Sequence, residues 1–172
     1  MSNSYVDAVE QAISLLDDIN LTDYQQVLAP HFSSSIGAHI RHIVDHFMAV
    51  KIMMEDADSN TEINYNKRNR HSDVEQFPQA ASAACKEISS WLRETCSNQL
   101  LNQKVLVTTE IDISHCTSTT CESTLERELV FAASHAIHHY AFIRIIRNMQ
   151  GKELPKFFGY APATIAHLTR SA

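Results

Sequence analysis

FAASHAIHHYAFI, residues 131–143, sets three histidines into an apolar run with helical spacing. On a helical wheel turning about 100° per residue, Phe131, Phe142, Ile146 and Met149 fall within about 40° of His135. Glu126 and Arg144 fall on the opposite side. His135 and His139 therefore occupy the centre of the apolar stripe, and His138 lies nearer its edge. A second cluster, SIGAHIRHIVDHF, residues 35–47, carries His39, His42 and His46. Its stripe is set by Ile36, Ile43, Phe47, Val50 and Met54. His39 and His46 lie closer to that stripe than His42 does, so periodicity leaves the choice between those two open.

Such clusters point to a metal ion. Histidine is the commonest transition-metal ligand, through a neutral ring nitrogen. Residues four apart on a helix sit one turn apart on the same side, with β-carbons about 5–6 Å apart. Facing helices pack roughly 8–10 Å apart, so a neighbouring helix can supply the third ligand. Three protein ligands leave a position for water or substrate. The bland reading is a hydrogen-bonded core histidine, which suits one such residue better than two facing clusters. Glu128 lies on the same stripe two turns before His135, placed to orient a ligand ring. His46, His138 and Glu128 are the candidates for assisting proton transfer.

The rest of the chain frames those helices. Its 172 residues suit one domain, 1–172. Only 3 Gly and 4 Pro leave little material for the tight turns of a β-rich fold. Helical spacing predicts four long helices: Ser4 to Leu28, Ser33 to Asp58, Phe77 or Pro78 to Leu100, and Thr120 to Gln150. Ser33, Ser34 and Ser35 offer caps for the second. Pro78 suits the first turn of the third. Thr119 and Glu122 read as a capping box for the fourth, and Gly151 as its stop. Lys104 to Ser114 alternates, with Val105, Val107, Thr109, Ile111 and Ile113 on one side, as a short strand or hairpin does. Thr164 to Leu168 suggests one helical turn. The expected fold is all-α, a four-helix bundle with that extended segment before the last long helix.

Several functions are excluded. A formal net charge of −6 and a pI near 5.9 do not suit a nucleic-acid binder. No run of 18 apolar residues is present, so no membrane span is expected, and Met1 to Glu10 lacks a secretory pattern. A cytoplasmic protein is the expectation, with Cys85 and Cys96 as packed, reduced thiols. Cys116 and Cys121 complete the set, and none forms a C-x2-C pair. HAIHH lacks the glutamate of the H-E-x-x-H metalloprotease motif. No Glu-x-x-His pair, glycine-rich phosphate loop or G-x-S-x-G elbow occurs. A hemerythrin-like di-iron site on His42, His46, His135 and His139 would need Asp45 and Glu128 as bridges.

SIGAHIRH followed by IVDHF, and SHAIHHYAFIRII further on, resemble the DinB-like superfamily, the DinB/YfiT-like metalloenzymes. The resemblance implies a four-helix bundle in which three histidines hold nickel or zinc, with iron and manganese as alternatives. Matched residue by residue, the implied metal ligands are His42, His135 and His139, with His46 close by. It also implies a metal-dependent thiol S-transferase or hydrolase, with a low-molecular-weight thiol as co-substrate. The sequence departs from the family's Arg-Gly after the histidine pair, having Tyr140-Ala141 instead. The alternatives are a non-catalytic stress-linked metal-binding or protein-interaction bundle, and a di-iron sensor. Tyr65, Arg68 and Arg70, in INYNKRNR, are candidates for an acidic substrate group, because arginine pairs with carboxylates through two bonds. The plainer alternative is a solvated basic loop. Phe157, Phe158 and Tyr160 suit either the pocket wall or core packing of the tail. The expected partner is a small-molecule substrate, with no nucleic acid or membrane, and a homodimer as the default assembly.

Overall fold

The computed structural model describes residues 4–55, 61–95 and 99–170, which leaves Cys96 outside the described residues. The helices are α1 (Ser4–Asp18), α2 (Leu21–Gln25), α3 (Ile36–Glu55), α4 (Asp73–Gln76), α5 (Pro78–Thr95), α6 (Leu125–Met149) and α7 (Pro162–Arg170). Three strands, β1 (Glu62–Asn64), β2 (Lys104–Glu110) and β3 (Ser118–Thr124), form a mixed sheet in the order β1-β2-β3. The four long helices pack together, α1 on α5 and α3 on both α6 and α5. The all-α four-helix bundle is nevertheless not the fold, because the sheet is an integral layer: β1 also packs on α3.

Each departure from the expected elements has a local cause. The first predicted helix breaks at Asn20, whose Oδ1 accepts from the Asp23 amide at 2.8 Å and starts α2 afresh. At α3, Ser35 Oγ accepts from the Ala38 amide at 3.1 Å, so the last of the three serines is the cap. Pro78 opens α5 as expected. The largest change lies before α6. Residues 118–124 are a strand, antiparallel to β2 from Lys104↔Thr124 to Glu110↔Ser118. The Thr119–Glu122 capping box therefore does not exist. Thr124 is at once the last strand residue and the cap of α6, its hydroxyl accepting from the Arg127 amide at 3.3 Å. On β2, Val105 and Val107 are buried, but Ile111 and Ile113 lie beyond the strand and are exposed.

By length and composition α6 could cross a membrane, which no helix was expected to do. The core helix of a folded protein meets the same test, and Leu125, Leu129, Ala132, Ala136, Ile143 and Ile146 of α6 are all buried. Among the described residues the free cysteines are Cys85, buried in that core, and the exposed Cys116 and Cys121.

Gly37 lets α4 come close to α3. A β-carbon there would stand 2.1 Å from the Glu75 carbonyl oxygen and 2.8 Å from Tyr24 Cε1. The carbonyl belongs to backbone and cannot swing aside. Gly37→Ala is expected to cost roughly 2–3 kcal/mol by overpacking. Thermal denaturation checks this, and a variant melting with the wild type would refute it.

Candidate metal centre

α3 and α6 lie side by side and bring their histidines together. His135 Nε2 is 3.0 Å from His42 Nε2 and 3.1 Å from His139 Nε2. These separations suit ligands of one ion. With metal–nitrogen bonds of about 2.0–2.1 Å, two ligands at right angles stand roughly 2.9 Å apart, and tetrahedral ones roughly 3.4 Å. Hydrogen bonding explains the pair of contacts less well. A ring nitrogen carries one in-plane site, a proton or a lone pair. His135 Nε2 cannot make a straight hydrogen bond to both neighbours at once, whereas a cation shared with them would account for both short contacts.

His46 adjoins this group. Its Nδ1 donates to the His42 carbonyl at 2.9 Å, which leaves Nε2 with its lone pair free. Ligand nitrogens of His42, His46 and His135 all lie within 4.8 Å of one another. Two overlapping triads thus share the His42–His135 pair, with His139 on one flank and His46 on the other. His39 stands behind His139, Nδ1 to Nδ1, at 2.9 Å. For His139 to offer a lone pair from Nε2, its Nδ1 must donate to His39, which moves the His39 proton to Nε2. That His39 nitrogen is buried without a partner among the described residues.

The electrostatics keep the rings neutral, the form that binds metal. Burial first, then the neighbouring rings His46, His139 and His135 and the Arg68 charge, pull His42 down to about 2. Burial, followed by His135, His39, His138 and His46, brings His139 down to about 3. His135 falls to about 4 through burial, His46, His138 and Arg68. His39 falls to about 4 through burial, His138 and Arg41. His46 is also lowered, by burial and then Arg68, against the opposing bond to the His42 carbonyl.

The other candidates separate. His138 is exposed at the rim, its ring 4.8 Å from that of Phe142. Glu128 is fully buried, but it accepts hydrogen bonds from Tyr65, Ser123 and Arg127. It reaches the cluster through Tyr65, whose hydroxyl donates to Glu128 Oε2 at 2.8 Å while its ring stacks on His46 at 5.0 Å. The Glu128–Tyr65 pair escaped the sequence, since nothing local links residues 63 positions apart. The His39 contact had a signal: His39, His42 and His46 fall within about 60° of one another on the wheel.

Arg68 and Arg70 are exposed and, with Asn66 and Glu110, line a cavity of about 380 Å³. Phe158 packs on Tyr140 of α6, their rings 5.2 Å apart, and Arg144 Nη1 donates to the carbonyls of Pro155, Lys156 and Phe158. The tail aromatics so divide, with Phe158 in the core and Tyr160 under the Arg144 guanidinium.

Comparison with known proteins corrects the family reading. No protein-family model matches the chain, and no solved structure does. The chain is 34% identical over 110 residues, 64% of its length, to FK506-binding protein 5 of Rhizopus delemar. It spans 28% of the length of that relative. A curated relative of that name overturns the DinB-like resemblance. With the resemblance fall the functions drawn from it, the metal-dependent thiol S-transferase and hydrolase, and the stress-linked bundle and di-iron sensor offered beside them. What the chain is similar to, over part of its length, is an FK506-binding protein.

Proposed function

We propose that this chain binds one divalent transition-metal ion, nickel or zinc before iron or manganese, through His42, His135 and His139, with His46 beside it. The ion's remaining position would be offered to a small molecule. The observation that carries the reading is the convergence of two ring nitrogens on His135 Nε2, at 3.0 and 3.1 Å. A reducing, cytoplasmic setting belongs to the proposal and is supported by the free thiols of Cys85, Cys116 and Cys121. Elemental analysis of protein purified without a histidine tag tests it. One transition metal per chain is expected. Metal-free protein whose melting is unmoved by added nickel or zinc would sink the idea.

The similarity to FK506-binding protein 5 supports a second reading, FK506 binding with a peptidyl-prolyl isomerase or chaperone-like role. The groove of about 260 Å³ whose apolar side is formed by Met48, Ala49, Ile52 and Met53, with Asp45, Glu62 and Lys67 also lining it, is where an apolar ligand would be sought. FK506 titration followed by amide shifts on α3, and an isomerisation assay on a proline peptide, test this reading. Absence of both shifts and catalysis would remove it.

A further inference from the structure

The loop that joins β1 to α4 starts at the histidine cluster and ends at the polar cavity. Tyr65 stacks on His46, and Asn66, Arg68 and Arg70 line the cavity a few residues on. The loop is tied to the ligand helix α3. Asp45, the neighbour of His46, accepts from the Asn69 amide at 3.3 Å and from Arg41 Nη1 at 2.9 Å. Arg41 Nε reaches Glu75 at 3.2 Å, and the same Glu75 oxygen accepts from the His71 amide at 3.2 Å. His71 holds a left-handed φ of 58° there. The far wall is equally fixed: Asn66 Oδ1 accepts from the Glu110 amide at 2.8 Å, and its Nδ2 donates to Ser118 Oγ at 3.0 Å. With its amide so engaged, Asn66 serves as a brace.

Arg68 and Arg70 have no ion-pair partner among the described residues, although the protein carries a net charge of −6. Two unpaired guanidinium groups on a braced loop suit an oxyanion, which arginine holds through paired bonds. Glu110 on the opposite wall reduces the cavity's charge to one net positive. That suits a mono- or dicarboxylate and disfavours a polyphosphate.

We propose that the cavity between the Asn66–Arg70 loop and Glu110 is a carboxylate-binding subsite, in which Arg68 and Arg70 hold a small organic acid beside the histidine centre. The role as a subsite rests on the metal reading, but the binding itself does not require an ion. The test is therefore run on both metal-free and zinc-loaded protein. Succinate is titrated while backbone amide shifts are followed, with inorganic phosphate as a parallel arm. Saturable shifts confined to residues 65–72 and 108–111 are expected with succinate in both forms. Arg68→Gln/Arg70→Gln should weaken succinate binding roughly 10- to 100-fold, as the loss of charge-assisted bonds implies. Zinc stoichiometry should stay unchanged in that variant, so a failed metal site shows separately as zinc loss or absence in the wild type. Equal succinate affinity in wild type and variant, or no binding by the wild type, overturns the subsite. Phosphate binding tighter than succinate overturns the carboxylate assignment.

Discussion

His135→Ala/His139→Ala is expected to weaken zinc or nickel binding by roughly a thousandfold or more. The estimate follows from the scale of histidine and cysteine zinc sites, about 10–16 kcal/mol spread over four ligands, which makes each ligand worth two orders of magnitude or more. The double variant leaves His42 and His46, both on α3, without the two α6 imidazoles that face them. Competition against a chromophoric chelator reads the affinity, and far-UV circular dichroism checks that α6 persists. His138→Ala is the control. Its ring is exposed at the rim, so its loss should move the affinity by no more than a few-fold. A double variant that holds metal as tightly as the wild type would place the ion elsewhere. Equal losses in His46→Ala and His139→Ala would instead show that both flanks of the His42–His135 pair ligate.

Glu128→Ala is expected to destabilise the protein by roughly 4 kcal/mol. The carboxylate is fully buried and accepts from Tyr65 Oη at 2.8 Å, Ser123 Oγ at 2.5 Å and Arg127 Nη1 at 2.8 Å. Arg127 loses least, because its side chain is 63% exposed and water can replace the carboxylate. Tyr65 loses most. Its hydroxyl is left buried without an acceptor, which costs about 1–3 kcal/mol, and the truncated side chain leaves a void worth a further 1–2 kcal/mol. Glu128→Gln keeps one acceptor oxygen for Tyr65 and should recover part of the loss. Chemical denaturation measures both. Two variants that unfold with the wild type would show that the buried carboxylate contributes nothing net.

Much of the helical frame is legible in the sequence. α5 starts at Pro78 because the first-turn amide needs no helical partner. The start of α6 is not legible, because STTCEST resembles a capping box and forms β3 instead. The β-branched residues of that stretch are read correctly only beside β2, where Val105 and Val107 supply the buried neighbours. That pairing is tertiary and leaves no local mark. The three-residue β1 escapes for the same reason, since its only central residue, Ile63, is buried by elements distant in sequence. At the site, His135 and His139 stand out because both face the apolar side of one helix. His42 does not, because the stripe of α3 records average burial. It is silent on which ring reaches across to α6.

His42 and His135 stand 93 positions apart along the chain. An ion seated between them would therefore act as a removable staple around a long segment. In the chain-entropy picture, a cross-link closing about 100 residues restricts the unfolded chain by about 4–5 kcal/mol. The enclosed ring holds the whole sheet, α4 and α5, and leaves α1, α2 and α7 outside it. Stripping the ion would release the enclosed segment first, so protease cuts between β1 and β3 would appear before cuts in α1.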